Sequence, residues 1–179
     1  GTRAGRSKQS PLRAGGSGDI DAGEVGDASV AAGLGGFEFV GDLDGDGAAD
    51  IVLAPELGRA TIKVFHNRLL ETYTGSQFIQ THSFDAFPDL PAYNGGGRIA
   101  LGNFTGGPSS ARELVVATGA GTVGKFRTYS VAAAAPVLMW TKSDPESFTG
   151  GLLVAAGDVN GDGLDDIVTS SGANGSGRI

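Results

Sequence analysis

The chain has 179 residues, 40% of them apolar, which is enough to bury a hydrophobic core and excludes disorder throughout. No apolar run approaches the roughly 18 residues that a transmembrane helix needs. The net charge is −7, and because the first 13 residues carry four basic side chains and no acidic one, the strongly acidic remainder is a poor partner for nucleic acid.

Glycine accounts for 32 residues and falls in short clusters between β-rich runs, which predicts many tight turns joining short strands. Cysteine is absent, so disulfide bonds cannot stabilise such a loop-rich fold. Packing or bound metal must stabilise it instead, and clustered carboxylates therefore become candidate metal ligands.

Residues 1–34 are rich in Gly, Ser, Ala and Arg and lack helical or strand periodicity, which predicts a linker. Asp19, Asp21 and Asp27 imitate the acidic loops found further along the chain, so the end of a degenerate repeat unit is the alternative. Because the chain begins with Gly1 and not with methionine, we expect it to be a piece of a longer protein.

From residue 35 onward the sequence repeats itself. Three aligned segments begin at Gly35, Gly96 and Gly151, which are 61 and 55 residues apart. The first two hold four predicted strands each, separated by Gly, Asn or Asp turns, without a convincing amphipathic helical pattern. The third and fourth of these strands are predicted at Ile62–Phe65 and Phe78–Thr81 in the first copy, and at Phe126–Tyr129 and Val137–Trp140 in the second.

Four short strands in a unit of this length predict the blades of a β-propeller, which must stack on one another to bury their faces. The predicted fold class is all-β, a β-propeller fragment of four-stranded antiparallel blades in an incomplete ring. A closed ring needs typically four to eight blades, so we expect the remaining blades of the same protein outside these residues. We assign residues 35–95 to blade 1, 96–150 to blade 2 and 151–179 to the start of blade 3.

The first predicted hairpin loop places oxygen-bearing side chains at its positions 1, 3, 5 and 9. Calcium takes six to eight oxygen ligands, so alternate side chains suit it, with a backbone carbonyl at position 7 and water completing the shell. Gly47 at position 6 permits the sharp turn. Without a cation the clustered carboxylates would repel one another. The predicted calcium ligands are Asp42, Asp44, Asp46, the Ala48 carbonyl and Asp50.

A second loop repeats this pattern in the third copy. An EF-hand would need a bidentate Glu at position 12 followed by a helix, but that position is Leu53 or Thr169 within a β-branched run. Magnesium fits less well because it retains several waters, and a plain Asp-Gly hairpin without metal is the remaining alternative. The predicted calcium ligands of the second loop are Asp158, Asn160, Asp162, the Leu164 carbonyl and Asp166.

The middle copy departs from the metal-binding pattern. Asn103 begins its loop, Gly107 occupies position 5, residues 108–112 lengthen it, and Glu113 replaces the ninth aspartate. Because position 5 offers no side-chain oxygen, we expect this loop to be empty of calcium or to bind it weakly.

Two further features of the sequence are similar to functional signals: a glycine-rich stretch and a pair of histidines. Gly119 to Gly124 fits the GxGxxG of dinucleotide-binding loops, but residues 125–129 alternate like a strand, so we predict a hairpin turn. Neither His66 nor His82 has a nucleophile or a metal ligand at the spacing of a catalytic or metal-binding motif. We therefore expect both histidines at strand ends or on the surface.

The chain resembles the FG-GAP repeats, also described as VCBS-type repeats, which occur in integrin α-subunit propellers and many secreted bacterial proteins. The resemblance covers residues 35–179 and rests on GDLDGDGAADIVLAP, AAGDVNGDGLDDIVTSSGANG, the Gly-Gly pair before each first strand, and Asp85 to Phe87. It implies that the blades form a ring and that calcium in each aspartate-rich hairpin stiffens its blade. It also implies the two ligand sets given above.

These patterns favour a non-catalytic, calcium-binding module that is extracellular or on the cell surface and presents its loops to a protein or glycan partner. Extracellular calcium is abundant enough to fill sites of even millimolar affinity. The alternative is the propeller portion of a secreted hydrolase or lyase whose catalytic residues lie elsewhere. Because the sequence shows no set of nucleophile, acid and base, we expect no enzymatic activity from this stretch.

Overall fold

The structure is a computed structural model that describes residues 36–69, 76–106, 111–144, 147–172 and 175. The predicted linker or degenerate blade end at 1–34 lies outside these ranges. Ten strands and no helix are found within them. No membrane-spanning helix is therefore found in the described part of the chain.

The ten strands form three antiparallel sheets in which strands adjacent in sequence are adjacent in space. The first sheet contains β1 (Gly36–Gly41), β2 (Asp50–Pro55), β3 (Thr61–Leu69) and β4 (Ser76–Asp85). The second contains β5 (Gly97–Gly102), β6 (Glu113–Thr118), β7 (Lys125–Ser130) and β8 (Val137–Ser143). The third contains β9 (Leu152–Gly157) and β10 (Asp166–Ser171). This arrangement confirms the all-β fold class and is consistent with propeller blades.

The two four-stranded sheets share one irregularity, which supports their origin as copies of a single unit. The β3–β4 ladder shifts register between Val64 and Phe65, and the β7–β8 ladder shifts between Thr128 and Tyr129. These positions are equivalent in the alignment of the repeats. An extra residue in the partner strand bends and twists the ladder there.

Stacking of the sheets explains the burial of the inner strands. β1 and β2 pack on β5, and β5 and β6 pack on β9, so the β5–β6 part of the second sheet lies between the other two sheets. Every residue of β6 is accordingly buried, which matches its continuous apolar run, whereas four of the six residues of β1 are exposed. The larger core lies between the first two sheets, and the smaller one surrounds Ala100, Phe104 and Val115.

Glycines permit the close backbone contacts that join one sheet to the next. Gly58 forms a parallel bridge with Gly95, and a Cβ on Gly96, which has a φ of 71°, would lie 2.1 Å from the carbonyl oxygen of Glu56. The equivalent bridge in the next copy joins Thr122 to residue 150. The GxGxxG stretch forms the hairpin between β6 and β7, so the hairpin prediction is confirmed.

Candidate metal centre

The first aspartate-rich loop joins β1 to β2 and is closed by the paired residues Gly41 and Asp50. Gly45 and Gly47 adopt φ values of 82° and 88°, in the left-handed region that disfavours residues with a Cβ. These two glycines reverse the chain within nine residues, so side chains at alternate positions converge on one side of the loop.

Backbone N–H groups hold the carboxylates of this loop in place. Asp42 accepts from Gly45 N at 2.7 Å through Oδ1 and from Gly47 N at 2.9 Å through Oδ2. Asp46 accepts from Ala48 N at 2.8 Å. Because these hydrogen bonds are local, the backbone of the loop itself orients the two carboxylates.

Three of the predicted ligands are brought together. Asp42, Asp44 and Asp46 each place a carboxylate oxygen within 4.8 Å of the others. Calcium–oxygen distances are about 2.3–2.6 Å, so ligand oxygens on opposite sides of one ion lie roughly 5 Å apart. The number, chemistry and spacing of these oxygens therefore fit a single calcium ion.

The ninth residue, Asp50, occupies a different environment. Its side chain is fully buried and accepts from Leu43 N at 2.8 Å and from Asn67 N at 2.9 Å. Burial raises the pKa of Asp50, and the two backbone hydrogen bonds and the neighbouring His66 partly oppose that rise. Asp50 thus fastens the base of the hairpin to β3 and lies behind the three outer carboxylates.

The structure corrects the sequence prediction for the histidines. His66 on β3 is 2% exposed and His82 on β4 is 5% exposed, so both are buried and neither is a surface residue. His66 Nδ1 lies 3.5 Å from Asp44 Oδ2, and the two imidazole rings are 5.8 Å apart. The alternation of buried Ile62 and Val64 along β3 places His66 on the same buried face, a signal that the sequence already contains.

The second loop, between β9 and β10, repeats the geometry of the first. Asp158 accepts from Gly161 N at 2.7 Å and from Gly163 N at 2.9 Å, and these hydrogen bonds lower the pKa of Asp158. Asp162 accepts from Leu164 N at 2.9 Å. Asp166 accepts from Val159 N at 3.1 Å, and Asn160 Nδ2 lies 3.4 Å from its other oxygen.

The two loops differ in their number of carboxylates. Asp42, Asp44 and Asp46 occupy positions 1, 3 and 5 of the first loop, whereas Asn160 replaces the carboxylate at position 3 of the second. Asp166 is also partly exposed, whereas its counterpart Asp50 is buried. The first loop therefore offers one more carboxylate and a more buried ninth residue.

The middle loop keeps this hydrogen-bonding frame with different side chains. Gly106 N donates to Asn103 Oδ1 at 3.0 Å, and Phe104 N donates to Glu113 Oε2 at 2.8 Å. The Thr105 hydroxyl donates to the other oxygen of Glu113. At position 3, the Thr105 hydroxyl thus faces the Glu113 carboxylate, whereas the other loops have Asp44 or Asn160 at this position.

Backbone hydrogen bonds connect the three loops in a row. Arg112 N, at the end of the middle loop, donates to the carbonyl oxygen of Asp42 at 2.8 Å. Asp165 N, at the same position of the third loop, donates to the carbonyl oxygen of Asn103 at 2.8 Å. The Arg112 guanidinium also pairs with Asp165 at 3.1 Å. All three loops therefore lie together along one edge of the stacked sheets.

Comparison with known protein families agrees with this architecture. Residues 150–179 match the family model described as FG-GAP repeat. The match confirms the resemblance over these residues, which contain an FG-GAP repeat, and the stacked four-stranded sheets fit a β-propeller-type repeat module. No curated protein and no solved structure matches the chain.

Proposed function

We propose that the chain is a calcium-binding β-propeller module that acts outside the cell as a binding, adhesion or scaffold domain. One observation carries the proposal: three carboxylates of the first loop converge within 4.8 Å on a hairpin whose shape two left-handed glycines fix. The second loop supports it by repeating the same hydrogen bonds at the same positions.

Calcium is favoured over other cations at the outer ligands because every donor there is an oxygen. Asp42, Asp44 and Asp46 supply the first loop, and Asp158, Asn160 and Asp162 supply the second. A flexible site built from several protein oxygens suits calcium, whereas magnesium demands near-ideal octahedral geometry and retains more water. The bound ion would neutralise carboxylates that otherwise repel one another.

The place of the loops favours a structural and presenting role. Each loop closes the hairpin between the first two strands of its sheet, so a bound ion would hold those strands in register. Abundant extracellular calcium would fill such sites even at weak affinity. The row of loops along one edge would then present a fixed surface to a protein or glycan partner, with no catalytic role for these blades.

Isothermal titration with calcium on the chelator-stripped protein tests the proposal. We expect two ions per chain, with Asp46→Ala removing one of them. Asn103→Ala in the middle loop is the matched control and should leave the stoichiometry at two. Absence of binding, or equal loss in the two variants, would contradict the assignment.

A further inference from the structure

Behind the outer carboxylates, the first loop contains a second set of ligand atoms that includes a nitrogen. Asp44, Asp50 and His66 each place one ligand atom within 4.8 Å of the others. The set combines two positions of the loop with a side chain from β3, and the side chains of Asp44 and His66 are only 8% and 3% exposed. It is thus a buried, mixed carboxylate and imidazole cluster that shares Asp44 with the outer oxygen ligands, of which Asp42 is partly exposed and Asp46 exposed.

The spacing within this inner set fits shared coordination of one small cation. His66 Nδ1 and Asp44 Oδ2 are 3.5 Å apart, which is longer than the 2.7–2.9 Å of a typical charge-assisted hydrogen bond. Two ligands at about 2.0–2.1 Å from a tetrahedral zinc ion are separated by roughly 3.3 Å. The observed separation is therefore close to that of two ligands on one first-row metal ion.

The chemistry of the donors also differs from that of a calcium site. Calcium selects oxygen, whereas imidazole suits zinc and other first-row transition metals, which also accept carboxylates. The position equivalent to His66 in the middle copy is Ser130, so the described repeats do not share this nitrogen. In the described residues, the second aspartate-rich loop itself offers carboxylate and amide side chains.

We propose that Asp44, Asp50 and His66 form a site for a divalent transition-metal ion of the zinc class, which shares Asp44 with the outer calcium ligands. The two aspartate-rich loops would then differ in metal preference: the first accepts either class of ion, and the second accepts calcium alone. This inference deepens the proposed function of the first loop and rests on the same hairpin geometry.

Titration of the full chain with zinc alone, and separately with calcium alone, tests the proposal. We expect one zinc ion per chain. His66→Gln should reduce the zinc affinity about 10- to 100-fold or more, since mutating even a residue that only hydrogen-bonds to a metal ligand lowers the affinity by about that factor. Calcium binding by His66→Gln should stay within about 3-fold of the parent, a change too small for a lost ligand. His82→Gln is the matched control, because its imidazole is also buried but lies beside Ala133 O at 2.9 Å, and it should leave zinc affinity unchanged.

A measurement on the unmutated protein keeps the test valid if His66→Gln does not fold. Anomalous scattering at the zinc edge from crystals soaked in zinc should place a peak about 2.1 Å from His66 Nδ1. A peak elsewhere, or equal zinc affinity in the parent and His66→Gln, would overturn the inference. Zinc binding without any calcium binding would instead contradict the proposed function and leave this site standing.

Discussion

Replacing Asp50 separates the structural role of the ninth loop position from metal binding. Its carboxylate is fully buried and accepts two backbone N–H groups, from Leu43 and Asn67. Leaving a buried donor without a partner costs about 1–3 kcal/mol, so the loss of two such bonds in Asp50→Ala should lower the free energy of unfolding by about 2–6 kcal/mol. Asp50→Ala also removes a carboxylate whose charged form is disfavoured by burial, as its raised pKa indicates. If this gain offsets part of the lost hydrogen bonding, the decrease in stability should fall in the lower half of that range.

Urea denaturation in excess chelator, followed by far-ultraviolet circular dichroism, measures this free energy without any contribution from metal. Asp46→Ala is the matched control because Asp46 is exposed and accepts a local N–H from Ala48, so its cost in chelator should be below about 0.5 kcal/mol. With calcium at one hundred times its dissociation constant, the control should lose about 2.7 kcal/mol of ligand-derived stability relative to the parent.

Equal stability of Asp50→Ala and Asp46→Ala in chelator would contradict this structural role, since Asp50 would then act through metal alone. Asp50→Asn provides a milder variant if the alanine form does not fold. The asparagine keeps one acceptor oxygen but turns its amide N–H2 group towards the other backbone donor. Its free energy of unfolding should therefore lie between those of the parent and Asp50→Ala.

Three further predictions concern the ions, the joins between sheets and alkaline pH. Excess chelator should lower the melting temperature of the parent chain, and an unchanged melting curve would contradict a structural role for calcium. Gly96→Ala should lower the free energy of unfolding, measured by chemical denaturation, by more than about 3 kcal/mol, because its Cβ would lie 2.1 Å from Glu56 O on a left-handed backbone. Gly157→Ala is the control and should be tolerated, because a Cβ there would meet open space. Burial raises the pKa of Tyr93 from 10.0 to about 12. The neutral phenol therefore contributes its full stability below about pH 10, and this contribution is lost as the pH rises through about 12. Tyr93→Phe should reduce this loss of unfolding free energy at alkaline pH.

Much of the fold could be predicted from the sequence because its signals are local. Alternating apolar residues and glycine-rich turns locate the strands, and the repeat period locates the sheets. The loops between β1 and β2 and between β9 and β10 lie where the aspartate pattern predicts them. Alternation along one strand also gives the inward face of β3, although it does not say which loop that face meets.

The rest of the site depends on contacts between segments that are distant in sequence. The approach of His66 to Asp44 requires the register of β2 against β3, which no spacing within the loop encodes. The row formed by the three loops depends likewise on how one sheet stacks against the next, as in the bond from Arg112 N to Asp42 O. Sequence patterns within a single copy do not determine these stacking contacts.

Comparison of the three loops shows which positions build the hairpin and which are available to a metal. In every copy the first side chain accepts from the N–H at position 4, and the last acidic residue accepts from the N–H at position 2. The middle copy retains both hydrogen bonds with Asn103 and Glu113 even though it lacks the oxygen at position 5. Its Thr105 hydroxyl donates to Glu113, so an internal hydrogen bond takes the place that a cation would hold between those oxygens. The hydrogen bonds of the first and last positions therefore belong to the hairpin itself, whereas the middle copy keeps the hairpin with different side chains at positions 3 and 5. Under the proposed function, positions 3 and 5 are the ones at which substitution should remove calcium binding and leave the fold intact.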